Sequence, residues 1–253
     1  MARQATTDTD LISFGNVTAL NGLSDASWCF WVYIDSWIAA SGNAWAFLKG
    51  SSFGFYQNNP FGEFFIGQIF WPTTDITYAL SSYTWTTGTW HFVGQVLDRD
   101  LSSQRVKVYA SVAGASSLTL AGSNDLNGSG TIGSTANALL ALQDGGNTNN
   151  LRMRIANVAL YNRPLSLGEL KAVRDCPSAV IDGRVFFAPC WGDSPETEYS
   201  GSKLHGTLTG TTLVPPPPTG PIFDVGVDWV PFVPSVAGGG GGGHRELTTV
   251  GAG

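Results

Sequence analysis

The amino-acid sequence predicts an all-β fold: two antiparallel sheets packed as a sandwich, with one short helix and an extended C-terminal arm. Three observations carry that expectation. Only 13% of the 253 residues are charged while 12% are aromatic and 32 are glycine, a composition suited to short strands, tight turns and rings filling the space between two sheets. Apolar residues alternate with period two in several segments, and a single segment carries helix-start signals. Near residue 214 the composition changes abruptly to PPPP, which places a sandwich at 1–214 and a Pro/Gly-rich extension at 215–253.

In chain order, a polar lead precedes DLISFG (10–15), a short strand. WCFWVYID (28–35) is apolar at nearly every position and rich in rings and β-branched side chains, so it is expected as an inner strand covered on both faces. Between Trp45 and Trp71 the segments AWAFLKG, FGFY and FFIGQIFW, broken by Gly, Asn and Pro, predict consecutive antiparallel strands. TWHFVGQVLD (89–98) puts Phe92, Gly94 and Val96 on one face and His91 and Gln95 on the other. RVKVYASV (105–112) puts Val106, Val108, Ala110 and Val112 opposite Lys107, Tyr109 and Ser111, so the two segments form a hairpin with one buried side. The Gly, Asn and Ser-rich stretch 122–150 is expected to be long surface loops.

In NRPLSLGELKAVRDCP, Ser166 as N-cap with Glu169 three positions on makes a capping box, and Leu165 and Leu170 are placed as a hydrophobic staple. Arg174 suits the dipole at the helix end and Pro177 stops it, which gives about two turns. RVFFAPCW (184–191) and HGTLTGTTLV (205–214) are the last two strands expected. From this pattern Trp28, Phe30, Trp31, Val93, Val96, Val106 and Val108 are core residues.

Charge and motifs narrow the function classes. The net charge of −6 offers no concentrated positive surface for a phosphate backbone, so nucleic acid is not an expected partner. The leading MARQATTDTD has no apolar segment of a signal peptide, and no run reaches the roughly 18 apolar residues of a membrane span. Synthesis in a cytoplasm, or excision from a longer precursor, is the expectation. Of Cys29, Cys176 and Cys190, the last two could pair, but reduced thiols are the favoured state and no zinc spacing occurs. No cysteine lies near a histidine in the sequence, and His91 is read as structural.

The order FGN…LNGLSDASWCFWVYID, WTTGTWHFVGQVLD and RIANVALYNRPLSLGEL resembles the laminin G-like and pentraxin-like branch of concanavalin-like jelly rolls, over roughly residues 10–214. The closing WGDSPETEYSGSKLHGTLTG resembles a piece that many relatives carry near their N-terminus. Such a swap is easy where the first and last strands of a sandwich lie side by side. The resemblance implies two curved antiparallel sheets around an aromatic interior.

It also brings three site expectations. Some members of this fold cleave β-glucans with a Glu-x-Asp-x-x-Glu strand motif. That motif is absent here, and Glu196 and Glu198 are read as solvated acids in a Pro-flanked loop, so no enzyme is expected. Calcium is the one cofactor the resemblance implies, with Asp144, Asn147, Asn149 and Glu198 as candidate ligands. Ala156 and Asn157 stand where many relatives read Asp-Asp, and SGSKLHG stands for an Asn-rich turn, which argues against a tight site. Glycan binding would use an exposed ring among Trp37, Trp71, Tyr83 and Trp85, most of which are expected in the core.

The arm supplies the functional expectation. Ile222, Phe223, Val225, Val227, Trp229 and Phe232, with Val230 and Val233, form an apolar cluster unlike a polar linker, and six glycines (238–243) follow. Buried either across a sheet of the sandwich itself or on a neighbouring subunit, such side chains could each contribute roughly 1.5–3 kcal/mol. A sandwich of this kind with such an arm resembles the accessory or decoration proteins of tailed-phage virions, and that resemblance implies the first expectation: a non-enzymatic virion component, capsid or tail, made in a host cytoplasm and docking on other virion subunits through the arm. The alternative is an extracellular carbohydrate-binding module of a bacterial surface or secreted protein.

Overall fold

The computed structural model describes residues 1–7, 9–37, 42–50, 52–59, 65–70, 75–79, 83–125, 131–132, 137–144, 152–190, 192, 195–200 and 204–218. The chain divides into two compact units, Met1–Phe223 and Asp224–Gly253, and the second lies outside the described residues.

The strands are β1 (Ala2–Ala5), β2 (Leu11–Ser13), β3 (Ala26–Ser36), β4 (Gly42–Lys49), β5 (Phe53–Asn59), β6 (Phe65–Phe70), β7 (Asp75–Ala79), β8 (Trp90–Leu97), β9 (Val106–Val112), β10 (Thr119–Asn124), β11 (Leu139–Asp144), β12 (Arg152–Tyr161), β13 (Arg184–Ala188), β14 (Thr207–Thr209) and β15 (Thr212–Val214). The helix α1 (Leu167–Asp175) lies between β12 and β13 in the chain. One sheet runs β10-β9-β8-β3-β12-β1-β15 with β13 also paired to β12, and the other runs β14-β2-β11-β4-β5-β6-β7. The architecture is a two-sheet antiparallel jelly-roll sandwich with one short helix.

β3 is covered on both faces, as its continuous apolar run requires. Trp28, Phe30, Val32 and Ile34 enter the interior between the sheets, while Cys29 and Trp31 join a second cluster that includes Leu170 and Val173 of α1. The interior is built of rings: Trp28 stacks on Phe53 at 4.7 Å, Phe55 stacks on Phe65 at 5.1 Å, and Phe30 meets Phe47 edge-on at 4.9 Å. All seven side chains named as core from the sequence are buried.

The helix forms where its local signals put it. Ser166 caps it, Glu169 completes the capping box, and Leu165 and Leu170 are both buried. Four other expectations are corrected. The polar lead forms β1, which pairs with β12 and β15. The stretch 122–150 contains the end of β10 and all of β11, an inner strand between β2 and β4. His205–Val214 is two strands: β14 joins β2 in one sheet and β15 joins β1 in the other, with the break at Gly210, whose φ is +68°.

The faces of β8 are also reversed from the polar pattern. His91, Val93, Gln95 and Leu97 pair with Val112, Ala110, Val108 and Val106, and Val93 and Leu97 belong to the interior cluster. Phe92 and Val96 belong to the cluster with α1. His91 is hydrogen-bonded through both ring nitrogens and Gln95 through its Oε1, while the buried Gln95 Nε2 has no partner among the described residues. Trp28 Nε1–H donates to Gln95 Oε1 at 3.1 Å, and His91 Nε2–H donates to the Thr86 carbonyl at 2.9 Å while Nδ1 accepts the Tyr83 hydroxyl at 2.7 Å.

Candidate ligand-binding cleft

On the outer face of the larger sheet, α1 seats on a gap in the side-chain layer. Gly94 has no Cβ, and one placed there would stand 2.8 Å from Leu170 Cδ2, so only glycine lets the helix lie this low without displacing Leu170. Across the ladder, Gly94 pairs with Tyr109 and Val96 with Lys107. Tyr109 and Lys107 therefore rise on the same outer face, beside the N-terminal turn of α1 rather than beneath it.

A cleft of about 180 Å³ results. Buried Val96 and Leu165 supply its apolar base, Tyr109 and Lys107 one wall, Ser166 and Leu167 the helix rim, and Asp98, Leu101 and Arg105 the β8–β9 turn. The turn is pinned: Asp98 N–H donates to the Arg105 carbonyl at 2.8 Å, and Arg105 Nε–H donates to the Leu101 carbonyl at 2.7 Å. Asp98 Oδ1 accepts the Asp100 N–H at 3.2 Å. Burial pushes the Tyr109 hydroxyl above its ordinary pKa, so it keeps its proton and its donor capacity.

The helix acid is spent on its own surroundings. The Arg163 guanidinium, 2.7 Å away, pulls the Glu169 carboxyl down to about 2, and Glu169 also accepts the Ser166 N–H at 2.8 Å. Among the described residues no ion pair engages Lys107 or Arg105, so the cleft offers a phenol ring, an ammonium, guanidinium N–H groups and one carboxylate around an apolar base. That set can cover one face of a small ring and hydrogen-bond its substituents.

The expectation of solvated acids at Glu196 and Glu198 is corrected: they are 1% and 4% exposed. Glu196 pairs with Arg3 at 2.9 Å and accepts the Gly192 N–H, while its backbone bridges Gly206. Glu198 accepts the N–H of Phe187 at 3.1 Å and that of Ser200. Both are buried because a guanidinium and backbone donors at the join of β1, β13 and the closing segment need acceptors there. Their spacing of two residues carried no hint of those distant partners.

Of the calcium candidates, Glu198 is committed to these backbone bonds, and Asp144 ends β11 opposite Ala44. Asn147 and Asn149 lie outside the described residues. Among the described residues no group of three or more His, Cys, Asp or Glu is placed to hold a metal ion. The docking residues Ile222, Phe223, Val225, Val227, Trp229 and Phe232 also lie outside them, as does Trp71. Trp37, Tyr83 and Trp85 pack on the interior core. The three cysteines are free thiols. No helix among the described residues is long and apolar enough to cross a membrane.

Lys107 and Tyr109 were visible in the sequence only as the polar side of β9. The signal that could have singled them out is Gly94 on the facing strand together with a helix predicted to need an apolar seat.

No protein-family model matches the sequence, and no curated protein does. Among solved structures, a candidate carbohydrate-binding protein from Bacteroides ovatus matches over 88% of this chain with a TM-score of 0.59 and 12% identity. The chain spans 62% of that protein's length. A SAP-like pentraxin from Limulus polyphemus, crystallised as a heptamer, aligns over 72% of this chain and 83% of its own at TM-score 0.45 and 11% identity. The binding domain of Paraclostridial Mosquitocidal Protein 1 aligns over 64% and 38% at 0.46 and 12%. The likeness to the Bacteroides ovatus protein, taken with the sheet order above, gives this chain a two-sheet jelly-roll fold.

Proposed function

We propose that the chain is a non-catalytic carbohydrate-binding module whose ligand occupies the cleft between α1 and the β8–β9 hairpin. The observation that carries this reading is the cleft itself: a partly buried Tyr109 ring beside Lys107, Arg105 and Asp98, over an apolar base. At about 180 Å³ it lies below the roughly 300 Å³ of a drug-sized site and suits a single sugar ring. The fold likeness to the Bacteroides ovatus protein supports a binding role of the same kind. The absence of catalysis is supported by how the described glutamates are spent. Glu169, Glu196 and Glu198 serve a helix cap, a buried ion pair and backbone donors, whereas glycoside hydrolysis needs two carboxylates free to flank one bond. A glycan array with the full chain and its Tyr109→Ala variant tests the reading. Binding to a defined glycan, lost or at least about fivefold weaker in the variant, is expected, since stacking contacts carry about 1 kcal/mol or more. No binding by the parent chain, or sustained glycan turnover, overturns it.

A second reading rests on the sequence of the extension. The apolar cluster from Ile222 to Val233 is suited to burial on another subunit, as an assembly arm of a virion accessory protein would require. A chain ending at Val214 that still joins its assembly would remove this reading and leave the cleft reading untouched.

A further inference from the structure

We infer that the cleft selects an acidic ring: a monosaccharide unit carrying a carboxylate or sulfate group. This rests on the reading of the cleft as a saccharide site and adds the class of sugar. The chain as a whole is acidic, with 19 Asp and Glu against 13 Lys and Arg, yet the cleft holds two cations, Arg105 and Lys107, and one carboxylate, Asp98. The acid of the helix's first turn, Glu169, is held by Arg163 and the Ser166 N–H. Asp98 spends part of its capacity within its own turn, on the Asp100 N–H.

The cations are held in place by the fold. Arg105 Nε–H is held on the Leu101 carbonyl at 2.7 Å, and Arg105 lines the cleft. Lys107 is anchored by its strand, two residues before Tyr109 on the same face and opposite buried Val96. A ring lying on Tyr109 therefore has a positive charge along one side, and a neutral sugar would leave both cations without an anionic partner. A charge-assisted contact of this kind is stronger than the hydroxyl contacts a neutral ring could make.

Titration calorimetry with the full chain tests this, using methyl glucoside, methyl glucuronide and glucose 6-sulfate as probes. The two acidic probes are expected to bind about tenfold or more tightly than the glucoside, with the advantage shrinking between about 50 and 500 mM salt. Their relative affinities tell carboxylate from sulfate preference. Lys107→Gln together with Arg105→Gln is expected to abolish the advantage, and Lys107→Arg to keep it, which separates charge from misfolding. Equal affinity for all three probes, with binding lost in Tyr109→Ala, contradicts the acidic preference and leaves the saccharide reading standing. An acidic preference that survives the double variant places the charge recognition elsewhere and overturns the inference. No binding of any probe overturns both.

Discussion

Arg3 and Glu196 lie 193 positions apart in the chain and meet at 2.9 Å with almost no solvent contact. Both charges are desolvated, so removing the guanidinium takes away the Glu196 carboxylate's ion-pair partner. Arg3→Met is expected to lower unfolding free energy by about 3 kcal/mol or more, measured by urea denaturation, whereas a loss below about 1 kcal/mol would show that water reaches Glu196. Trp31, 3% exposed and edge-on to Phe92 at 5.6 Å, should cost about 3–5 kcal/mol as Trp31→Ala. His91 gives a pH dependence. Burial, partly opposed by the Thr86 backbone bond, holds its pKa below the usual 6.5, so the folded state keeps it neutral while the unfolded chain takes up a proton. Its contribution is complete above pH 6.5 and is lost as pH falls through 6.5 toward the folded-state value. The urea midpoint should therefore drop between about pH 7 and 5, and His91→Gln should flatten that slope; an unchanged slope would place the titration elsewhere.

Elements differed in how far they could be read from the sequence, and the difference follows the range of the interactions that make them. α1 was legible because its cap, staple and stop lie within a dozen residues, and each is local chemistry. Ser166→Ala removes the bond to the Glu169 N–H and should cost about 1 kcal/mol; no measurable change would mean that the helix is held by packing alone. β3 and β9 were legible from apolar runs and alternation. β1 and β11 were not: ARQA has no pattern of its own, and LLALQD sits among Gly and Asn, so both are strands because distant neighbours supply ladders. The same limit hid the reversal of β8, since a polar residue on an inner face is permitted only by a partner such as Trp28, 67 positions away from Gln95. The cleft was the least legible feature, because it exists only where Gly94, Tyr109 and Leu165, from three separate elements, come together.

At the scale of the molecule, the segment 207–214 supplies an edge strand to each sheet, and Ala2 pairs with Val214 between β1 and β15. Deleting 207–214 should destabilise both sheets together, whereas ending the chain at Val214 keeps every strand among the described residues and should leave the thermal midpoint unchanged. A large drop in the second variant would show that the sandwich needs the extension. With the fold closed in this way, the outer face beside α1 presents a small polar and aromatic cleft, and ligand binding there is the centre of the account. The most direct measurement is an amide NMR titration of the full chain with a glycan that it binds. Shifts are expected to concentrate at Val96, Asp98, Lys107, Tyr109 and the Leu165–Leu167 turn, with the strands of the opposite sheet unmoved. Shifts confined to β4, β5 and β6, with the cleft silent, would contradict it.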